Sequence, residues 1–388
     1  MTRIMNLSAT VSTAAILAAA SVWAQTPAAP APAPATAPEK IWAHNLTIKG
    51  DVRFRYEDID EAGKPGRQRD RFRARLSAEG KVNDTVKGGV AVSTGGTDPV
   101  SGNQTIGDGF QKKSFSLDKA YFKWSPNEIA AVTAGKMGNP FIGVQDLIWD
   151  GDLTHEGLAL QAKTQLGSQV QAMANGGYMW VTERSSTDDD AMLYAGQAAM
   201  KFDFTSIPNE YFLILGGSLY QYDNLKGYAL LDFEKTNKSY GNSTDKVVSG
   251  NTTNTVYKYE YELVELFGQM GFWVMGKPVV LFYDQVVNQE AVANDTGYGY
   301  GINIGKAKTP GTFEIGYNYR EVEKDAVVGA FTDSDSWGGG SNGKGHKLMA
   351  KYQLAKNWQF GVTYFMNDKD LVKLTDYKRL QIDLAASF

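Results

Sequence analysis

From Asn45 to Phe388 apolar and polar residues alternate with a period of two, and few architectures accept such a pattern. In Leu46 to Glu57 one set reads Leu46, Ile48, Gly50, Val52, Phe54 and Tyr56, the other Thr47, Lys49, Asp51, Arg53, Arg55 and Glu57. A strand sends successive side chains to opposite faces and separates these sets, whereas a helix mixes them. The next segment repeats the pattern, with Arg71, Arg73, Arg75, Ser77, Glu79 and Lys81 against Phe72, Ala74, Leu76, Ala78, Gly80 and Val82.

Continued along the chain, the alternation predicts about 16 strands of roughly 9 to 14 residues, the number and length of a membrane-spanning barrel. The expected spans are 45–57, 69–82, 85–94, 114–124, 129–137, 156–165, 168–181, 191–204, 210–222, 256–273, 279–288, 297–305, 312–323, 346–354, 358–367 and 377–388. Asn83-Asp84, Ser125-Pro126-Asn127, Leu166-Gly167, Ile207-Pro208-Asn209, Gly276-Lys277-Pro278, Thr309-Pro310-Gly311 and Lys356-Asn357 read as short turns. Long connections lie between them, at Gly95 to Lys113, Gly138 to His155, Asp223 to Thr255 and Lys324 to Gly345. A soluble sandwich also alternates. Short turns at one rim and long loops at the other are instead what an all-β transmembrane antiparallel barrel has, with turns periplasmic and loops extracellular.

Two further features fit lipid. Trp124, Phe204, Tyr211, Trp273 and Trp358 adjoin the short turns, and Tyr56, Tyr178, Tyr222 and Tyr257 lie toward the long loops, as two interfacial girdles. In the last strand Leu380, Ile382, Leu384, Ala386 and Phe388 share one face and Arg379, Gln381, Asp383 and Ala385 the other. Pairing this strand with the first removes both sheet edges, which lipid requires. An even strand count leaves both termini on the periplasmic side.

Residues 1–24 read as a cleaved signal peptide: Arg3, then an apolar run through Ala14 to Ala20, then Val22-Trp23-Ala24 before Gln25. Export across the inner membrane of a Gram-negative-like cell follows. Residues 25–40, largely Ala and Pro, cannot bury a core and read as an extended periplasmic tether. Residues 41–388 carry the barrel.

Composition excludes other classes. A mean hydropathy of -0.33, with no segment of roughly 20 apolar residues beyond the N-terminus, rules out a helical membrane protein. With no Cys there is no thiol catalysis and no Cys-ligated zinc, and a net charge of -4 gives no nucleic-acid footprint. His44, His155 and His346 are far apart in this topology, so neither a metal site nor a hydrolase triad is expected, and no catalytic residue or cofactor. Asp188-Asp189-Asp190 and Asp333-Ser334-Asp335 read as solvated loop tips, with calcium or lipopolysaccharide-bridging cations as the alternative. Gly338 to Gly343 lies between strands without opening a helix, so no phosphate cradle is expected.

Four segments resemble bacterial porins of the putative-porin type and, more distantly, the phosphate- and pyrophosphate-selective porins. They are Gly50-Asp51-Val52-Arg53-Phe54-Arg55-Tyr56, Arg69 to Leu76, Lys119 to Trp124 followed by Ala134-Gly135-Lys136, and Pro140-Phe141 through Leu147 to Leu153. The terminal Phe388 resembles the signal by which outer-membrane barrels are recognised for assembly. The resemblance implies a 16-stranded, trimeric, water-filled channel set in outer-membrane lipid and lipopolysaccharide.

A barrel of this size keeps an aqueous lumen. Lys49, Arg53, Arg55, Arg71, Arg73 and Arg75 must face it, because turning one toward lipid at mid-depth costs about 2–4 kcal/mol. The guanidinium forks of the arginines among them would make a basic ladder suited to anions and phosphate. The alternative is neutralisation by Asp51, Glu57, Asp70 and Glu79, leaving wall salt bridges and little selectivity. In general porins the connection after the fifth strand folds inward, so here Asp146, Asp150 and Asp152, with Trp149, would face the arginine wall. The expectation is a passive diffusion porin leaning toward anions. A substrate-specific uptake porin and a plugged barrel for adhesion or envelope anchoring are the alternatives.

Overall fold

The computed structural model describes residues 45–388 apart from 186–188, 206, 208, 209, 234 and 237. The expected signal peptide and tether, His44, Asp188 and the Pro208-Asn209 turn lie outside the described residues. The strands are β1 (Leu46–Glu61), β2 (Arg67–Lys81), β3 (Val86–Thr94), β4 (Gln104–Thr105), β5 (Phe115–Trp124), β6 (Ala130–Gly138), β7 (Thr154–Gln165), β8 (Val170–Thr182), β9 (Ala191–Asp203) and β10 (Phe212–Asp223). They continue with β11 (Thr244–Ser249), β12 (Thr252–Tyr257), β13 (Glu262–Val274), β14 (Lys277–Asn288), β15 (Thr296–Gly305), β16 (Phe313–Val322), β17 (Gly343–Ala355), β18 (Trp358–Lys369) and β19 (Thr375–Ser387).

All of these except β4, β11 and β12 form one antiparallel barrel of sixteen strands. Closure comes from β1 pairing with β19, Asp51 opposite Ser387 through Glu61 opposite Tyr377. Phe388 extends the seam: its amide donates to the Gly50 carbonyl and the Gly50 amide to its own, each at 3.0 Å. The Phe388 ring lies over Gly50, where a Cβ would fall 2.4 Å from the ring edge.

One expected strand was too long. Residues 256–257 belong to β12, which pairs with β11 as a hairpin inside the longest connection, and the wall strand begins only at Glu262. Alternation ran through both segments, but the Tyr257 ring packs against Tyr261, 6.1 Å away, among the loops. The turn expected at Gly276-Lys277-Pro278 is also shifted, because Lys277 and Pro278 already pair with Val274 and Trp273. Met275 and Gly276, with φ of 48° and 71°, make the two-residue hairpin turn that matches strand twist. At the long-loop rim, connections 62–66, 289–295 and 370–374 are short; 95–114, 139–153, 224–261 and 323–342 carry the asymmetry.

The two faces are inverted relative to a protein that folds in water. On β13, outward Leu266 is 64% exposed while its inward neighbour Glu265 is 3% exposed. Outward Phe54, Leu160, Leu215, Ile315 and Leu384 continue the apolar surface, and inward Arg55, Glu57, Gln197, Arg320 and Gln381 are buried. Hydrocarbon rather than water suits that exterior. Trp124, Phe204, Tyr211, Trp273 and Trp358 are exposed at the short-turn rim, and Tyr178 at the other. Tyr222 and Tyr257 are not in a girdle, being buried inside with Tyr261.

Inside the long-loop half, the four long connections meet in an apolar core that includes Val100, Phe141, Trp149, Leu231, Val327 and Trp337. Wall glycines make room for it. A Cβ at Gly177 would meet the Phe141 ring at 2.9 Å, and one at Gly299 would meet the Gln145 amide at 2.3 Å.

Candidate channel constriction

The basic residues of β1 and β2 stand directly opposite one another, Arg53 facing Arg73 and Arg55 facing Arg71. Like charges so placed repel, and the strands hold because acids lie on the same inner face. Asp51 takes Arg73 at 3.1 Å and Arg75 at 2.8 Å. Asp383 of β19 takes Arg55 with both oxygens, at 2.6 and 2.7 Å. Glu57, fully buried, takes Arg69 at 2.6 Å, Arg71 at 3.6 Å and Arg379. Arg53 has no carboxylate in ion-pair contact among the described residues; its guanidinium donates to the Asn103 side chain at 2.6 Å. Lys49 is exposed at the short-turn end, beside Asp118 and Lys119. Asp70 and Glu79 are not counter-ions of this strip. Asp70 is exposed on the alternate, outward face, and Glu79 pairs with Lys87 at 3.1 Å and accepts from Tyr121 at 2.9 Å.

The connection 139–153 reaches three walls. The Ile142 amide donates to Gln197 of β9 at 2.7 Å, Arg320 of β16 donates to the Asp146 carbonyl at 2.8 Å, and Asp152 meets Arg73 and Arg75 of β2 at 3.1 and 3.2 Å. It also leans on the connection 323–342: the Asp150 amide donates to the Phe331 carbonyl and Thr332 Oγ1 to the Leu147 carbonyl, each at 2.8 Å.

Of the three acids expected opposite the arginines, only Asp152 reaches them. Asp150 is buried and accepts from the amides of Asp152, at 2.8 Å, and Ser334, at 2.9 Å. Burial, and then the nearby charge of Asp333, push its carboxyl up to about 8, so it is neutral at pH 7. Burial likewise raises Asp146, despite the partly offsetting charge of Lys347. A loop that packs as a core withdraws such groups from solvent, which spacing in sequence does not reveal.

Asp333 and Asp335, expected at a solvated tip, are inside the barrel. Asp333 pairs with Arg320, and Asp335 lies 2.9 Å from Arg379 and 3.3 Å from Arg55. The Arg379 and Arg55 charges overcome burial and hold the Asp335 carboxyl well below the usual range. Arg320, Arg379 and Asp383 therefore belong to the site, and sequence reading passed over them as functional residues. The available signal was their place on the polar face of alternating strands. His155 is buried beside Trp149, ring centres 4.8 Å apart, while His346 is exposed against Tyr317. Among the described residues no group of three or more His, Asp or Glu is arranged to hold a metal ion.

Three cavities touch Lys49, Arg71 and Arg75 of β1 and β2. One of about 430 Å3 at the long-loop rim touches Arg69, Arg71 and Arg379; one of about 370 Å3 touches Arg75 and Asp152; one of about 620 Å3 at the short-turn rim touches Asp51, Lys49 and Lys119. The first two share Asp98 and Ser101, and the last two share Arg75 and Asp118.

The model of the family described as "Putative porin" matches residues 59–264 and 280–388. The chain belongs to this porin family. Its solved structural relatives include OprB of Pseudomonas putida at high pH, at 11% identity and a TM-score of 0.56, covering 89% of this porin and 95% of that chain. OmpF of Salmonella typhi in complex with daunomycin matches at 12% identity and 0.53, covering 89% and 98%. The outer membrane channel DcaP of Acinetobacter baumannii matches at 14% and 0.50, covering 88% and 97%. At such identities these relatives share the fold. No curated protein matches the porin in sequence. Family and fold together make it an outer-membrane porin, a channel protein and not an enzyme.

Proposed function

We propose that this porin is a water-filled channel for passive diffusion of small hydrophilic solutes, with a preference for anions. The observation that carries the reading is a series of three cavities that touch Arg71, Arg75 and Lys49 of β1 and β2, neighbouring cavities sharing lining residues. In the strip and its contacts seven guanidiniums, including Arg69 and Arg379, stand against Asp51, Glu57, Asp152, Asp335 and Asp383. That excess leaves a positive field in a low-dielectric passage, which favours anions. Asp152 sets the narrow point from the loop side, and Lys49 lies at the exit.

The fitting bilayer partner is outer-membrane lipid and lipopolysaccharide against the apolar exterior. The β19–Phe388 end is the segment offered to the barrel assembly machinery, and the mature assembly is a homotrimer delivered by the cleaved leader. Stepwise ohmic current from refolded protein in a planar bilayer tests the channel, and a silent but heat-modifiable barrel would refute it. The loop core that fills the long-loop half favours a second reading, a substrate-selective uptake porin. Saturable block by one solute, with similar solutes passing, would support that reading.

A further inference from the structure

We propose that the cavity at the long-loop rim is an entry-side binding site for compact polyanions carrying two or three negative charges, such as tricarboxylates or organic phosphates. The inference rests on the anion reading above and adds a place and a valence to it.

Seven Lys and Arg side chains line this cavity against three carboxylates, Glu61, Asp98 and Asp335. Glu57, buried behind Arg69, Arg71 and Arg379, adds a fourth, which leaves three positive charges in excess. Two of the cations are unspent: Arg67 and Lys238 are both exposed and, among the described residues, neither has a carboxylate partner. Lys238 instead sits 4.5 Å from the centre of the Tyr240 ring, on the connection 224–261, across the cavity from β2. Arg71 and Arg379 each keep a buried Nε without an acceptor. Cations therefore converge from β2, β19 and a loop on one space.

Beside Thr332, Ser334 and Asp335, part of the wall is bare backbone. Gly338, Gly339 and Gly340 line the cavity with φ of 85°, 91° and 89°, and a Cβ at Gly340 would fall 2.2 Å from the Tyr240 carbonyl oxygen. A side chain there would strain the loop contact, so the wall stays bare. A volume of about 430 Å3 suits a small organic solute rather than a single halide. Several guanidinium forks engage several carboxylate or phosphate oxygens at once, which a monovalent ion cannot match.

The test uses citrate as probe, with acetate as the monovalent comparison, in equilibrium titrations of the refolded full chain at fixed ionic strength. Citrate should bind and acetate should not. The double variant Arg67→Gln/Lys238→Gln should weaken citrate by about tenfold, the loss expected when two nearby charges are removed. Lys163→Gln, at the short-turn side, should leave the citrate affinity unchanged, and heat-modifiable mobility checks that each variant folds. Absence of citrate binding, or equal binding in the double variant, overturns the proposal while leaving a chloride preference of the channel intact. Loss of chloride preference in the unaltered porin would instead overturn the anion reading on which it rests.

Discussion

Asp152 lies 3.1 Å from Arg73, and the same carboxylate meets Arg75 at 3.2 Å, so one loop acid bridges two guanidiniums that Asp51 already balances from the wall. Such a pair adds little stability, on the order of 0–1 kcal/mol for partly exposed groups. Its weight is electrostatic. Asp152→Asn should leave the barrel folded and raise the anion-to-cation permeability ratio, roughly twofold for one charge at a narrow point. Reversal potentials in a salt gradient read this, and a shift toward cations would count against it.

Phe388 adds the final contacts to the seam by which β1 and β19 close the barrel. Phe388 both pairs with Gly50 and covers it with its ring. Phe388→Ala should lower the yield of heat-modifiable barrel, since the seam between β1 and β19 loses the ring that covers Gly50. Gly50→Ala, whose new Cβ would collide with the movable ring edge, should lower it less. Equal yields for all three chains would show that the seam closes without this contact.

The exterior should reject charge. Leu160 is outward near the middle of β7, and Leu160→Arg should destabilise the barrel by about 2–4 kcal/mol. Met173→Arg on β8, beside a cavity of about 940 Å3, should cost far less. Urea unfolding in lipid vesicles compares the two, and similar costs would contradict the assigned faces.

Asp150 makes stability pH-dependent in a defined direction. Its carboxyl rises from 3.8 to about 8 in the folded protein, so the native state keeps a proton that the unfolded chain releases. Stability therefore falls as pH climbs through the window between those values, by up to about 1.4 kcal/mol per pH unit, and levels off above it. Asp150→Asn should flatten this contribution. Heat-modification temperatures at pH 5, 7 and 9 measure it, and parallel curves for the two proteins would refute the assignment.

Strands and their faces were legible because lipid outside and water inside impose a period of two on every wall residue, from Val52 against Arg53 to Leu384 against Asp383. The loops obey no such period. Asp333 and Asp335 read as a polar tip because nothing local marks them for burial, and only the folded connection 323–342 brings them to Arg320, Arg379 and Arg55. The same holds for Asp150, whose partners are amides, and for Tyr257, whose alternation continues that of β13 although its ring belongs to the loop core. Wall residues answer to a local rule, whereas loop residues answer to contacts far apart in the chain.

The most direct test of the channel and its sign is the reversal potential of refolded porin in a planar bilayer under a potassium chloride gradient. The arginine strip predicts stepwise ohmic conductance with a reversal potential displaced toward the chloride equilibrium value. Displacement toward the potassium value, or a folded barrel that carries no current, would contradict it.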